Sequence, residues 1–220
     1  MPAPLPLDWS SIDTVLLDMD GTLLDLRFDN WFWQEHIPAH YAALHGLDAA
    51  QAGALLDPKF RAVRGTMDWY CIDYWSRELG LDIAAIKRAA LAQVAYLPGA
   101  LEFLRRLKRC GKRRILVTNA HPATLAIKNG HVRLTEHFDA CYSTHAFRAP
   151  KEDAAFWPRL NAREPFRPGR TLLVDDSIAV LDAARGFGIA WLRAVRRPDS
   201  GRPPQDTGAY PAVDAAADLM

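Results

Sequence analysis

The sequence predicts an α/β protein, with a doubly wound, mainly parallel sheet interrupted near its start by an all-helical insertion. Three observations carry that reading. From about residue 98 onward, apolar runs of strand length alternate with amphipathic helical stretches, the pattern of βαβ units. The first apolar run, Thr14-Val-Leu-Leu, is continuous, as a strand buried on both faces requires. Between the two, residues 26–97 carry helix signals and no convincing strand. The expected organisation is a discontinuous core, 1–25 and 98–220, with a helical cap over 26–97.

The opening strand runs into Asp18-Met-Asp20-Gly21. In extended backbone residues i and i+2 point the same way, so Asp18 and Asp20 can share a site while Met19 turns into the packing. Gly21 permits a sharp bend. Two aspartates at a turn are also ordinary turn formers, and alone the pair decides nothing. In the insertion, Asn30 is placed to cap a helix running to about Leu44 that Gly46 ends, with Pro38 kinking or dividing it. Asp48 and Asp82 read as further N-caps, and Met67 to Leu79 as a helix closed by Gly80. Eleven of the 22 aromatic residues fall in this block, about a third of the chain. Met67, Tyr70, Cys71 and Tyr74 would share one helix face, with Trp69, Ile72 and Leu79 on another.

Beyond Pro98 the order is an amphipathic helix over 99–110, a strand over 114–118, a helix from near Pro122 and a short strand over 140–143. A helix near Asp153, a strand Thr171-Leu-Leu-Val-Asp175 and a helix from Ser177 to about Phe187 follow. The last expected strand is Ile189-Ala-Trp-Leu-Arg193, and the Pro- and Gly-rich tail ends in a short helix over Ala212 to Leu219.

Composition narrows the class. At 220 residues and a net charge of +1, the chain buries a full core and gives no overall argument for a nucleic-acid partner. Its three cysteines are widely separated, which argues against a disulfide framework and for a reducing compartment. The N-terminus has no secretory pattern and no stretch approaches a membrane span, so a cytoplasmic location is expected.

Three strand ends and one loop converge on the sheet's carboxyl edge: Asp18 and Asp20, Thr118 and Asn119, Lys151, and Asp175-Asp176. Four carboxylates in one crevice repel strongly, each like pair at 4 Å costing about 4 kcal/mol at an effective dielectric of ~20. Such a cluster calls for a bound cation, and hard oxygen donors without Cys or His favour Mg²⁺. A hydroxyl, an ammonium and Mg²⁺ together describe a pocket for a phosphoryl group.

In that order, Asp18-x-Asp20-Gly21-Thr22, Thr118, Lys151 and Asp175-Asp176 resemble the four-motif signature of the haloacid-dehalogenase-like (HAD) phosphatases, whose core is Rossmann-like. The helical block is similar to the cap that many members insert between the first two motifs. The stretches 17–33, 68–76, 118–122 and 150–153 further resemble a bacterial branch of that family, the purine 5′-nucleotidases acting on GMP and IMP. The resemblance implies Asp18 as nucleophile and Asp20 as general acid and base. It implies Mg²⁺ held by the Asp18 side chain, the Asp20 carbonyl and Asp175, with Asp176 in support. Thr118 and the Asn119 amide would grip phosphate oxygens, and Lys151 would neutralise charge. The cap would choose the substrate, a small phosphate ester. Trp31, Trp69, Tyr70 and Tyr74 are candidates for stacking, and Arg27, Asn30 and Arg64 for base or sugar. His121, close after Thr118, either contacts substrate or shapes the turn.

Dehalogenases of this superfamily lack the second aspartate, so Asp20 favours a phosphatase. A phosphatase for another metabolite, such as a sugar phosphate, remains open on the same machinery. A signalling receiver domain puts its acidic pair first and has no helical insertion, and a catalytically inactive phosphate binder would not keep every catalytic position filled. The seven basic residues from Arg105 to Arg114 read as the solvated end of a helix with Gly111 as its stop, and His36 with His40 lacks a third ligand.

Overall fold

The computed structural model describes residues 7–219. Residues 1–6, where a leader would begin, and residue 220 of the expected core segment lie outside the described residues. Six parallel strands form one sheet in the order β3-β2-β1-β4-β5-β6. They are β1 (Thr14–Leu17), β2 (Arg113–Thr118), β3 (Ala140–Ser143), β4 (Thr171–Asp175), β5 (Trp191–Val195) and β6 (Ala212–Val213). From β1 the chain winds outward through β2 to β3, then crosses to β4 on β1's other side. The switch point therefore lies between β1 and β4, where open α/β sheets bind ligands.

Both sheet faces are covered, which explains the unbroken apolar runs. Val15 and Leu17 of β1 and Leu172 and Val174 of β4 enter one hydrophobic cluster, while Leu16 and Leu173 enter another. The first cluster takes in Phe103, Leu104 and Leu107 of α6 (Ala100–Arg109) and continues into the helical block. The second is closed by α8 (Phe156–Arg163) and α9 (Ile178–Phe187).

The block between β1 and α6 contains α1 (Arg27–Trp31), a π-helical turn over Phe32–His36, α2 (Ile37–His45), α3 (Ala49–Val63), α4 (Ile72–Leu79) and α5 (Ile83–Ala89). Its ends are tied together: Leu24 and Tyr96 form an antiparallel bridge, and the Leu97 amide donates to the Leu23 carbonyl at 2.8 Å. Asp48 caps α3 in a capping box with Gln51, and Asp82 caps α5. Pro38 has the expected effect. The Ile37 amide reaches back to the Phe32 carbonyl, and the wide turn accommodates the proline at the start of α2.

Four expectations shift. Asn30 lies inside α1, because the Asp25 carboxylate accepts the Arg27 amide at 3.0 Å and starts the helix earlier. The helix expected from Met67 begins only at Ile72; residues 67–70 form turns held by the Trp75 indole donating to the Trp69 carbonyl, and Cys71 takes the capping position. Those residues therefore do not form one helical stripe. β5 starts two residues later than read, since the Ile189 amide closes α9 on the Ala184 carbonyl. The tail forms a strand at Ala212–Val213 before a 3-10 turn at Ala216–Leu219, because the free edge of β5 pairs with it.

Candidate active site

The site is assembled at the carboxyl ends of β1, β2 and β4. Asp18 follows β1, its amide donating to the Val174 carbonyl at 3.1 Å, and Asp175 ends β4 beside it. The Lys151 ammonium bridges them, 2.6 Å from an oxygen of each. Lys151 is 2% exposed, and its position is set at both ends of its backbone. Its amide donates to Asn119 Oδ1 at 2.9 Å and its carbonyl accepts from the Trp157 indole at 2.9 Å. Carboxylate oxygens of Asp18, Asp175 and Asp176 all lie within 4.8 Å of one another.

Burial pushes the Asp18 carboxyl up to about 6, with Lys151 pulling it down and Asp175 pushing it further up. Burial also raises Asp175, against Lys151. Asp176 is raised well above its ordinary value by burial and by Asp175 and Asp18. One ammonium thus bridges two buried acids, with the half-buried Asp176 beside them, and the donor atoms are all hard oxygens. That arrangement fits a divalent cation such as Mg²⁺. Gly21 makes room for it: at φ +83°, a β-carbon here would lie 2.6 Å from Asp176 Oδ2.

Asp20 is turned to a different partner. Met19 between them is fully buried, as the alternation requires. Lys128 of α7 (Pro122–Val132) places its ammonium 2.7 Å from Asp20 Oδ1 and 2.5 Å from Asp29 Oδ2. Lys87 of α5 holds the other Asp29 oxygen at 3.1 Å. Acids and ammoniums thus alternate from the sheet edge into the helical block. Burial pushes Asp20 up to about 6, with Lys128 opposing it and Asp29 adding to it. Burial also opposes ionisation of Asp29, but Lys128 and Lys87 together outweigh it and hold that carboxyl at about 2.

Thr118 ends β2, and its Oγ1 accepts the Ala120 amide at 3.0 Å, leaving its hydroxyl proton free to aim elsewhere. The Asn119 side chain is fully committed, accepting from the Lys151 amide and donating to Glu152 at 2.9 Å. Any grip on a phosphate from Asn119 therefore falls to its backbone amide. Tyr70 reaches across from the helical block and donates to Glu152 at 2.5 Å. His121 caps α7 by accepting the Ala123 amide at 3.3 Å.

The candidate substrate residues divide into groups. Arg27, Asn30 and Trp31 line a cavity of about 720 Å³ with Asp199 and Arg202; none of Asp18, Thr118, Lys151 or Asp175 lines it. Asn30 is already engaged there, donating to Asp199 at 2.6 Å. Trp69 packs edge-on to Phe60 and Trp75 with Arg64 over its ring, and Tyr74 packs on Trp75, so these belong to the helical block's own aromatic core. Of these, Tyr70 is connected through Glu152 to Asn119, in the loop after β2.

The sequence reading missed Lys128, Asp29, Lys87 and Glu152. A lysine inside Pro122-Ala-Thr-Leu-Ala-Ile-Lys128 reads as a solvated helix position, yet it is 1% exposed on the same buried face as Thr124. The usable signal was spacing alone, Thr124 and Lys128 being four apart.

A family model for hydrolases, described as haloacid dehalogenase-like hydrolase, matches residues 12–188. The chain belongs to the haloacid dehalogenase-like hydrolases. The chain is 44% identical over 206 residues to the GMP/IMP nucleotidase YrfG of Escherichia coli (strain K12). The match covers 94% of this chain and 93% of the relative, and the Shigella flexneri protein of the same name matches equally. In fold it is similar to a HAD phosphatase from Thermococcus onnurineus, with a TM-score of 0.78, 19% identity, and 94% and 96% of the two chains covered. The L-2-haloacid dehalogenase of Xanthobacter autotrophicus gives a TM-score of 0.63 at 19% identity over the same shares. The phosphatase and the dehalogenase share the HAD fold, so the fold alone does not choose between their chemistries. Among the described residues no helix is long and apolar enough to cross a membrane.

Proposed function

We propose that this HAD hydrolase is a Mg²⁺-dependent phosphomonoesterase that works through an aspartyl phosphate and prefers the purine nucleotides GMP and IMP. The observation that carries the reading is the division of labour between two aspartates two residues apart. Asp18 is bridged by Lys151 to Asp175, while Asp20 is held apart by Lys128. The substrate assignment rests on the 44% identity to the GMP/IMP nucleotidase YrfG.

Asp18 forms a bond to phosphorus as the ester P–O bond breaks, and Asp20 gives its proton to the departing ribose oxygen. Asp20, pushed up to about 6, has the affinity a general acid needs near neutral pH. In the second half, water attacks the acyl phosphate, Asp20 takes the water's proton, and phosphate and the Asp18 carboxylate are released. Thr118 donates its hydroxyl and Asn119 its backbone amide to phosphate oxygens, and Lys151 restrains Asp18 while neutralising charge. Asp18, Asp175 and Asp176, with the Asp20 carbonyl, would hold Mg²⁺, which would neutralise charge on the phosphoryl group.

Residues 26–97 act as a cap that covers the site, core 1–25 and 98–220 supplying the chemistry. Tyr70, linked through Glu152 to Asn119, is the cap residue that meets the substrate, and the cavity around Trp31 is a second candidate for reading the nucleoside. Three separate free thiols fit a cytoplasmic setting. Turnover with Mg²⁺ across GMP, IMP, AMP, pyrimidine nucleotides and sugar phosphates tests the reading. Highest kcat/KM for GMP and IMP is expected, and equal rates on sugar phosphates would overturn the substrate assignment.

A further inference from the structure

Where the cap meets the core, beside the phosphate loop, three side chains from three segments point at one another. Cys71 begins α4, His121 precedes α7, and His145 follows β3. One ligand atom from each lies within 4.8 Å of the others. The imidazoles of His121 and His145 meet edge to face at 4.8 Å. His145 Nε2 is buried and has no hydrogen-bond partner, whereas the ring interacts with the Asn119 backbone carbonyl. With Nε2 unpartnered, the N–H that this carbonyl accepts is on Nδ1, which leaves Nε2 with an unshared lone pair.

A buried ring nitrogen carrying a free lone pair loses the hydrogen bonds it has in water, and such a group calls for a partner. An imidazole whose other nitrogen donates to a carbonyl is the arrangement of a metal-ligating histidine. Cys71 now serves only as a long cap, accepting the Tyr74 amide at 3.4 Å. His121 likewise gives up little, since its cap contact to Ala123 is 3.3 Å and its Nε2 faces Asp73 at 3.6 Å. Solvent would supply the fourth donor of a tetrahedral set.

We propose that Cys71, His121 and His145 bind a zinc-class transition-metal ion, distinct from the all-oxygen site, that clamps the cap to the core. Thiolate and imidazole donors select such an ion over Mg²⁺, as carboxylates select the reverse. Because Cys71 belongs to the cap and both histidines to the core, the ion would hold shut the joint through which substrate and product must pass.

The test is titration of the full chain with Co²⁺ in excess Mg²⁺, which shields the carboxylate site. Expected is one equivalent bound, with a thiolate-to-cobalt charge-transfer band and visible bands of tetrahedral intensity. The charge-transfer band should vanish in Cys71→Ser, where serine keeps the helix cap, and weaken in His145→Ala. Asp18→Asn should leave it intact, which separates this site from the catalytic cluster. Circular dichroism confirms that each variant is folded, and if His145→Ala is not, His145→Gln replaces it. No charge-transfer band in the wild type, or one unchanged in Cys71→Ser, overturns the site. Hydrogen exchange across residues 71–79 reads the clamp: Zn²⁺ should slow it in the wild type and leave Cys71→Ser unaffected. Equal rates with and without Zn²⁺ would overturn the clamp.

Discussion

Replacing Lys128 by methionine removes the one ammonium that touches both Asp20 and Asp29 while keeping the length of the side chain. At separations of 2.7 and 2.5 Å, an effective dielectric of ~20 gives about 6 kcal/mol of attraction for each contact. Taking the ammonium out of water opposes this by several kcal/mol. Lys87 still holds Asp29 at 3.1 Å, but Asp20 has no second ammonium among its ion pairs. The expected loss is that of a broken buried pair, ~3–5 kcal/mol of stability. For a chain of this size it corresponds to a fall in Tm of roughly 6–20 °C. Activity should fall selectively. A ribose oxygen is a poor leaving group and needs the Asp20 proton, so loss of its placement should lower kcat on nucleotides by about 10²–10⁴. A nitrophenyl ester leaves without that proton and should be hydrolysed with a much smaller deficit. Calorimetry and parallel kinetics on GMP and p-nitrophenyl phosphate provide the readout. A Tm within 2 °C of wild type, or equal losses on the two esters, would refute the role assigned to Lys128.

Three further outcomes follow from the same geometry. Asp18→Asn should reduce turnover by ~10³-fold or more while the fold melts normally, because Lys151 keeps its pair with Asp175; EDTA should silence the wild type and Mg²⁺ restore it. Gly21→Ala places a β-carbon 2.6 Å from Asp176 Oδ2 in a left-handed backbone, so it should cost about 1–2 kcal/mol in denaturant melts and weaken Mg²⁺ affinity by calorimetry. Asp29 has a folded pKa of about 2 against the ordinary 3.8, so its contribution of ~2 kcal/mol is present above pH 4 and is lost as pH falls from 4 towards 2. Acid unfolding should therefore show a shallower loss over that range in Asp29→Asn, and an identical slope would count against the Lys128–Asp29–Lys87 arrangement.

The fold and the convergence of Asp18, Thr118, Lys151 and Asp175 at one sheet edge were legible because each rests on local chemistry. Thr14 to Leu17 read as a doubly buried strand because all four side chains are apolar or β-branched. Gly21 and the polar ends of β1, β2 and β4 marked the ligand edge, since a carboxylate after such a strand has no packing role. What local signals missed was decided by competition between segments. Asn30 has the chemistry of a helix cap, but Asp25 is placed to take the Arg27 amide and Asp199 occupies Asn30 instead. Met67 and Tyr70 have helical spacing with Tyr74, yet the Trp75–Trp69 contact holds their backbone in turns. Ala212 and Val213 had no strand signal, only the unpaired edge of β5 to complete.

The sequence by itself determined the sheet, the order of its motifs and the two aspartates, because hydrophobic period and strand-end chemistry are written in neighbouring residues. Only the tertiary structure assigned Asp20 to Lys128 and brought Cys71 to His121 and His145. A buried charge or an unpartnered lone pair is defined by what surrounds it, and those partners lie about 25 to more than 100 positions away along the chain.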